Sequence, residues 1–326
     1  MTAMTMAKAL NEGLRRAMEN DRKVVLMGED IGKLGGVFRV TDGLQKDFGE
    51  DRVIDAPLAE SAIVGTAVGL AIRGYRPVCE IQFDGFVYPA FDQIVSQVAK
   101  LHKRSEGAYK MQMVIRIPFG GGIGAIEHHS ESPEAYFAHT PGLRVVSPTT
   151  PNDAYWMIQQ AVAHDDPILF LEPKCRYWVK DEVDLAAPPS GLFDAAKRRD
   201  GTDVTVVAYG PSVRTALKAA EAAEAEGRSV EVIDLRSIAP LDIPILAASL
   251  EKTGRLVVVQ EATSSVSVSA EIVAALTEQC FYSLRAPALR VTGFHTPYPP
   301  SRVEEDYLPS VDRILDAVDR VMGYES

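Results

Sequence analysis

No two cysteines in this chain lie close enough to form a CxxC pair. The three present, Cys79, Cys175 and Cys280, are widely separated, which argues against a disulfide framework or a cysteine zinc site and fits a reducing compartment. No apolar run reaches the roughly 18 residues of a membrane span. The opening MTAMTMAKALNEGLRRAMEN reads as an amphipathic helix rather than a signal peptide, so a cytoplasmic protein is expected. Positive charge is in short supply, with 34 basic residues against 45 acidic ones and a net charge of −11. Nucleic acid and anionic membranes both need a basic footprint, so neither is an expected partner. The patterns GxxxxGK[ST], HExxH and GxSxG are absent, which removes sequence support for P-loop nucleotide hydrolysis, zinc peptidase and hydrolase-elbow chemistry.

What is present is enough chain for two cores: 326 residues, 46% of them hydrophobic. Short apolar runs end in polar residues and alternate with helical patterns. KVVLMGED, RVID, RPVCEIQF, MVIRIPF, RVVS and PILFLE read as strands of a first alternation, with a long helix over about 88–103 and another from Pro151, capped by Thr150, to about Ala163. After Lys174 the pattern lapses into charge, Pro188-Pro189, Ser190 and Gly191. A second alternation follows, with strands DVTVVAYG, SVEVIDL, RLVVVQEA and ALRVTGF and a final helix over about 311–322. The expected fold is α/β, two domains each with a parallel sheet covered by helices, over residues 1–180 and 203–326 with a linker at 181–202.

The stretch RVIDAPLAESAIVGTAVGLAIRG places Glu60 where a strand gives way to a helix that is apolar on every side and carries Gly65 and Gly69 four apart. Such a helix is expected to be buried. Open α/β sheets bind ligands at the carboxyl ends of their strands, so Glu60 is a site candidate, with Glu29 near the same edge. A first-turn acid favoured by the helix dipole is the plainer reading. The second candidate segment is GGGIGAIEHHSES. Gly120, Gly122 and Ala125 satisfy the GxGxxA form of the dinucleotide fingerprint, but no helix opens at once and no acid closes the next strand. His128 and His129, read as extended, point to opposite sides, so one of them can face a cleft. His139 and His295 read as structural, and Phe86 as a ring for a flat heterocycle or a core residue.

The blocks IDAPLAES, CEIQFDGFVYPAFDQI, HHSESPEAYFAHTPGLRVVSP, PILFLEPK, VEVIDLRSIAPLD and RVTGFHTPYPP resemble, in order and spacing, the β subunit of thiamine-diphosphate-dependent 2-oxo acid dehydrogenases. The resemblance runs from about Thr5 to Val321 and is nearest to branched-chain 2-oxo acid dehydrogenase β subunits; pyruvate dehydrogenase β subunits share much of it. It implies a transketolase-like pyrimidine-binding domain followed by a transketolase C-terminal domain.

By motif position, the resemblance makes Glu60 the residue that hydrogen-bonds the aminopyrimidine ring nitrogen of thiamine diphosphate, where sharing a proton makes the exocyclic amine acidic. An apolar surround would help that carboxyl hold a proton. Phe86, Leu58 and Gln82 would line the pyrimidine pocket, Glu29 would lie near the cofactor, and His129 would act in acyl transfer to a lipoyl group. Ala161, His164 and Asp166 match a structural potassium loop. The GDG motif that binds the diphosphate and its magnesium in thiamine enzymes is missing; TDG and FDG are the nearest sequences. The resemblance therefore implies an α subunit that supplies that half and holds the magnesium, an α2β2 heterotetramer, and a dihydrolipoamide acyltransferase core that docks on the C-terminal domain. A dinucleotide oxidoreductase and a non-catalytic transketolase-like scaffold are the alternatives.

Overall fold

The computed structural model describes residues 1–324. Contacts divide the chain into two units, Met1–Phe119 with Tyr136–Leu192, and Gly120–Ala135 with the chain from Phe193 onward.

In the first unit the chain opens as a strand, β1 (Thr2–Thr5), before the helix Met6–Asn20 begins. Thr5 sets that boundary: its backbone is extended and its hydroxyl accepts from the Lys8 amide at 3.2 Å, as an N-cap does. The amphipathic pattern expected from residue 1 is therefore helical only from Met6. Strands β2 (Val24–Gly28), β3 (Val53–Asp55), β4 (Arg76–Glu80), β5 (Val114–Phe119), β6 (Arg144–Val146) and β7 (Ile168–Pro173) form a parallel sheet in the order β6, β7, β5, β4, β2, β3. Residues of β2, β5 and β7 are buried throughout, as strands covered on both faces must be.

The helix Pro151–Ala163 starts at Thr150 with reciprocal side-chain bonds to Asp153, a capping box with proline at the first position. It packs on the helix Met6–Asn20, and the axes approach closely at Gly13, where a Cβ would meet Ile158 at 2.4 Å. The helix expected over 88–103 is instead broken into a 3-10 turn at Asp84–Ala90, a π-type turn at Gln93–Val98 and a short helix at Leu101–Arg104. Pro89 lies inside the first piece and cannot donate to a continuous helical ladder.

The charged stretch after Lys174 is also more structured than its composition suggests. Strand β8 (Lys180–Val183) runs antiparallel to β1, with Thr2 opposite Val183. Both are exposed edge pieces, so neither shows the apolar run that marks a central strand.

The second unit contains β9 (Ala196–Arg199), β10 (Val204–Ala208), β11 (Val230–Asp234), β12 (Ser237–Ala239), β13 (Leu256–Thr263) and β14 (Leu289–Gly293). Strands β14, β13, β10 and β11 pair in parallel in that order, and β9 adds an antiparallel edge to β11. The helix Ser212–Ala225 packs on it through small residues, Ala216, Ala220 and Ala223, together with Ile314, Val318 and Val321 of the last helix, Val311–Met322. Both units are the α/β sandwiches that the alternation implied.

Candidate active site

Beneath the carboxyl edge of the first sheet lies a set of buried charges. Arg116 on β5 is 2% exposed and reaches Glu172 of β7 through two nitrogens, at 2.7 and 2.9 Å, and Glu80 of β4 at 2.6 Å. The Tyr177 hydroxyl donates to the second Glu172 oxygen at 2.5 Å. Burial alone works against the Arg116 charge, and Glu172 and Glu80 more than reverse it, so the guanidinium titrates above its ordinary range. Glu80 is pushed up by burial, which Arg116 opposes. A second fully buried pair, Lys174 with Asp84, ties the end of β7 to the start of the 84–90 turn, and Lys174 lies 5.7 Å from the centre of the Phe83 ring. The sequence signal for the Arg116 pairs is local: single charges inside otherwise apolar strands, VCE, VIRIPF and ILFLE, in neighbouring registers.

On this base stand the expected site residues of the first unit. Glu29 follows β2 directly, and its backbone carbonyl accepts from the Gln82 side chain at 3.4 Å. The Glu29 carboxyl is pushed up by burial, then by the negative charges of Asp30 and Glu60, so the two glutamates face a common region. Glu60 is the first residue of the helix Glu60–Ile72, whose cap residue Ala59 has no side chain to bond the free amides. Phe86 is half-buried in the 84–90 turn with its ring edge-on to Phe83 at 5.9 Å, and Phe83 in turn meets Phe38 at 5.5 Å. A carboxyl, a second carboxyl that resists ionising, an amide and an aromatic ring suit a flat heterocycle with ring nitrogens.

The helix Glu60–Ile72 departs from expectation. It is apolar all round, but this chain covers one side only: Ile63, Val64, Ala67 and Ala71 are buried, whereas Ser61, Ala62, Thr66, Gly69 and Ile72 are exposed. A Cβ built on Gly69 meets nothing within 4 Å. Leu58 is 68% exposed and Glu60 only half-buried, so the dry surround expected for Glu60 is not supplied by this chain's own side chains.

His129 lies in the second unit's segment, in a 3-10 turn over Glu127–His129 closed by the Ser130 amide donating to Glu127 O at 2.9 Å. The turn, rather than an extended strand, brings the rings of His128 and His129 edge to face at 4.4 Å instead of on opposite sides. Nearby, Glu134 is fully buried and accepts from the Tyr209 hydroxyl at 2.6 Å; burial pushes its carboxyl up and that bond opposes it.

At the loop after the helix Pro151–Ala163, Ala161 O accepts from the His164 amide at 3.2 Å, and Arg76 donates to the carbonyls of Val162 and His164 at 2.9 and 3.1 Å. Asp166 is bound by Arg144 at 3.0 and 2.9 Å. Guanidinium groups thus hold the His164 carbonyl and the Asp166 carboxylate, and a backbone amide holds the Ala161 carbonyl.

The pattern "Transketolase, pyrimidine binding domain" matches residues 2–178, and "Transketolase, C-terminal domain" matches residues 194–314. The chain is 60% identical, over 99% of its length and 96% of the relative, to "Pyruvate dehydrogenase E1 component subunit beta" of Leifsonia xyli subsp. xyli. It is 54% identical, over 98% and 92%, to "3-methyl-2-oxobutanoate dehydrogenase subunit beta" of Mycobacterium tuberculosis. Among solved structures it resembles "Split gene transketolase, inactive beta4 tetramer" with a TM-score of 0.81 over 99% of each chain at 21% identity, a likeness of fold. Among the described residues no helix is long and apolar enough to cross a membrane. The chain belongs to the family of β subunits of thiamine-diphosphate-dependent 2-oxo acid dehydrogenases, built from a transketolase-type pyrimidine-binding domain and a transketolase C-terminal domain.

Proposed function

We propose that this chain supplies the pyrimidine half of the active site of a 2-oxo acid dehydrogenase, and that an α subunit supplies the diphosphate and magnesium half. The observation that carries this reading is the grouping of Glu29, Glu60, Gln82 and Phe86 at one sheet edge, beside a helix face left uncovered. Thiamine diphosphate, when bound, supplies the carbanion that attacks the 2-oxo group and accepts the acyl unit. Glu60 holds a proton against the pyrimidine ring nitrogen, Phe86 packs on the ring, and Gln82, Leu58 and Glu29 orient it. The α subunit lies over Ser61, Ala62, Thr66 and Gly69, which removes water from Glu60 and completes its dry surround. His129 orients the acyl group during its transfer to a lipoyl arm carried by an acyltransferase core, which docks on the C-terminal domain. The working assembly is an α2β2 heterotetramer in the cytoplasm.

Relatives named for pyruvate and for 3-methyl-2-oxobutanoate stand close together, so both acids are candidate substrates. The test is turnover of each acid by the chain reconstituted with its α subunit and a lipoyl domain. Turnover of one or both supports the reading, and turnover of neither contradicts it.

The covering of the helix face has its own expected outcome. Gly69→Leu places a side chain in open space, so the isolated chain should be as stable as before or gain up to about 1 kcal/mol from removal of a helix glycine. Association with the α subunit should be lost, as read by size-exclusion chromatography of the co-expressed pair. Normal assembly would show that this face is not where the α subunit lies.

A further inference from the structure

The segment that carries His129 has almost nothing apolar to hold it. Ile123 and Ile126 are 42% and 55% exposed, Gly122 and Gly124 are exposed, and four glycines make the chain costly to order. Yet it is closed at its base, where the Gly120 amide donates to Glu131 O at 2.9 Å. Gly120, Gly122 and Gly124 have positive φ of 79°, 81° and 70°. This backbone turns successive N–H groups into a concave set of donors, a form that ordinarily receives an anion. Here the anions are side chains of the same unit. One Glu304 oxygen accepts from the Gly122 amide at 2.9 Å and from the Tyr298 hydroxyl at 2.7 Å, and the other accepts from the Gly124 amide at 3.1 Å. Glu261 accepts from the Gly121 amide. Both carboxylates are buried, at 7% and 6% exposure. Tyr298 presses so close to Gly121 that a Cβ there would lie 1.7 Å from its hydroxyl. A nest filled by its own protein's carboxylates has no room for a dinucleotide phosphate, so the GxGxxA pattern serves another purpose.

We propose that Glu304, seconded by Glu261 and Tyr298, is a positioning residue that fixes the turn Glu127–His129 for acyl transfer. The inference rests on His129 acting in that transfer. Glu304 grips the chain at Gly124, and the His129 amide ties the turn back to Ile126 O at 2.9 Å, two residues beyond that grip. Misplacement of a reacting group by about 1 Å can cost on the order of 10²-fold in rate. Charge-assisted bonds to amides are about twice as strong as neutral ones, which suits a carboxylate to this task.

The experiment uses the chain assembled with its α subunit and compares Glu304→Gln, Tyr298→Phe and His129→Ala with the parent. Glutamine keeps the shape but offers one acceptor to two amides, and its own N–H2 opposes the other. Two rates are read: acylation of a lipoyl domain, and decarboxylation coupled to ferricyanide, which bypasses the lipoyl arm. Glu304→Gln is expected to lose at least about tenfold in lipoyl acylation with ferricyanide-linked decarboxylation within about twofold of the parent. Tyr298→Phe, which is expected to fold even where Glu304→Gln does not, should shift the same ratio in the same direction by less. Hydrogen exchange across 120–129 should quicken in both. Equal loss of both rates, or no loss of acylation while His129→Ala loses it, would overturn the positioning role. Unchanged acylation in His129→Ala would instead defeat the reading of His129 on which the inference stands.

Discussion

Glu60→Gln, assembled with the α subunit, is expected to fold and associate normally and to lose roughly 10²- to 10⁴-fold in turnover, the span typical of removing a general acid–base group. Glutamine keeps the shape of the first helical residue but cannot share a proton with a ring nitrogen. If Glu60 only favoured the helix dipole, the same change would cost about 0.3–1 kcal/mol of stability and leave the rate intact. The rate therefore separates the two readings, and thermal unfolding checks that the fold is unharmed. A further readout is Glu29. In the isolated chain, where Glu60 has no cofactor nitrogen to share a proton with, the Glu29 carboxyl is held up first by burial and then by Asp30 and Glu60, so Glu60→Gln should let it titrate at lower pH. A carboxyl raised in the folded state contributes stability below its unfolded pKa and loses it as pH rises through the folded value. In the variant that loss should be smaller.

Arg116→Met should destabilise the first unit by about 3–5 kcal/mol, because it leaves Glu80 and Glu172 buried without their cation. Domains of this kind are stable by roughly 5–15 kcal/mol, so such a loss can approach the whole margin. Chemical denaturation of the isolated chain measures it. A shift under about 1 kcal/mol would mean that the two carboxyls simply take up protons and that the guanidinium is dispensable. The change also bears on function: Arg116 joins β4, β5 and β7 below the edge where Glu60 and Phe86 stand, so cofactor affinity should fall along with stability.

Central elements of the fold were legible because parallel strands covered on both faces must be apolar along their whole length. VVLMG, VIRIPF and ILFLEP announce themselves for that reason. The pair β1 and β8 did not, since an edge ribbon facing water carries the charges of a linker, as KDEV does. The helix Glu60–Ile72 is legible in sequence but its partner is not: a sequence apolar on every side says that the helix is covered, not by which chain. Glu29, Glu60, Gln82 and Phe86 could be named from motif position, and the sheet edge brings them together. Glu304 and Glu261 could not, because they meet the glycine loop across 180 and 140 residues and nothing local in EEDY or QEAT marks them. In sequence His128 and His129 look like extended neighbours, whereas backbone bonds from His129 to Ile126 and from Ser130 to Glu127 curl them into a turn.

On this reading the chain holds half a cofactor site. The direct test is calorimetric titration of thiamine diphosphate, with magnesium present, into the isolated chain and then into the chain assembled with its α subunit. The expected result is no saturable binding by the isolated chain up to about 1 mM and a dissociation constant in the region of 1 μM for the assembly, a difference of roughly 4 kcal/mol. Micromolar binding by the isolated chain would contradict the claim.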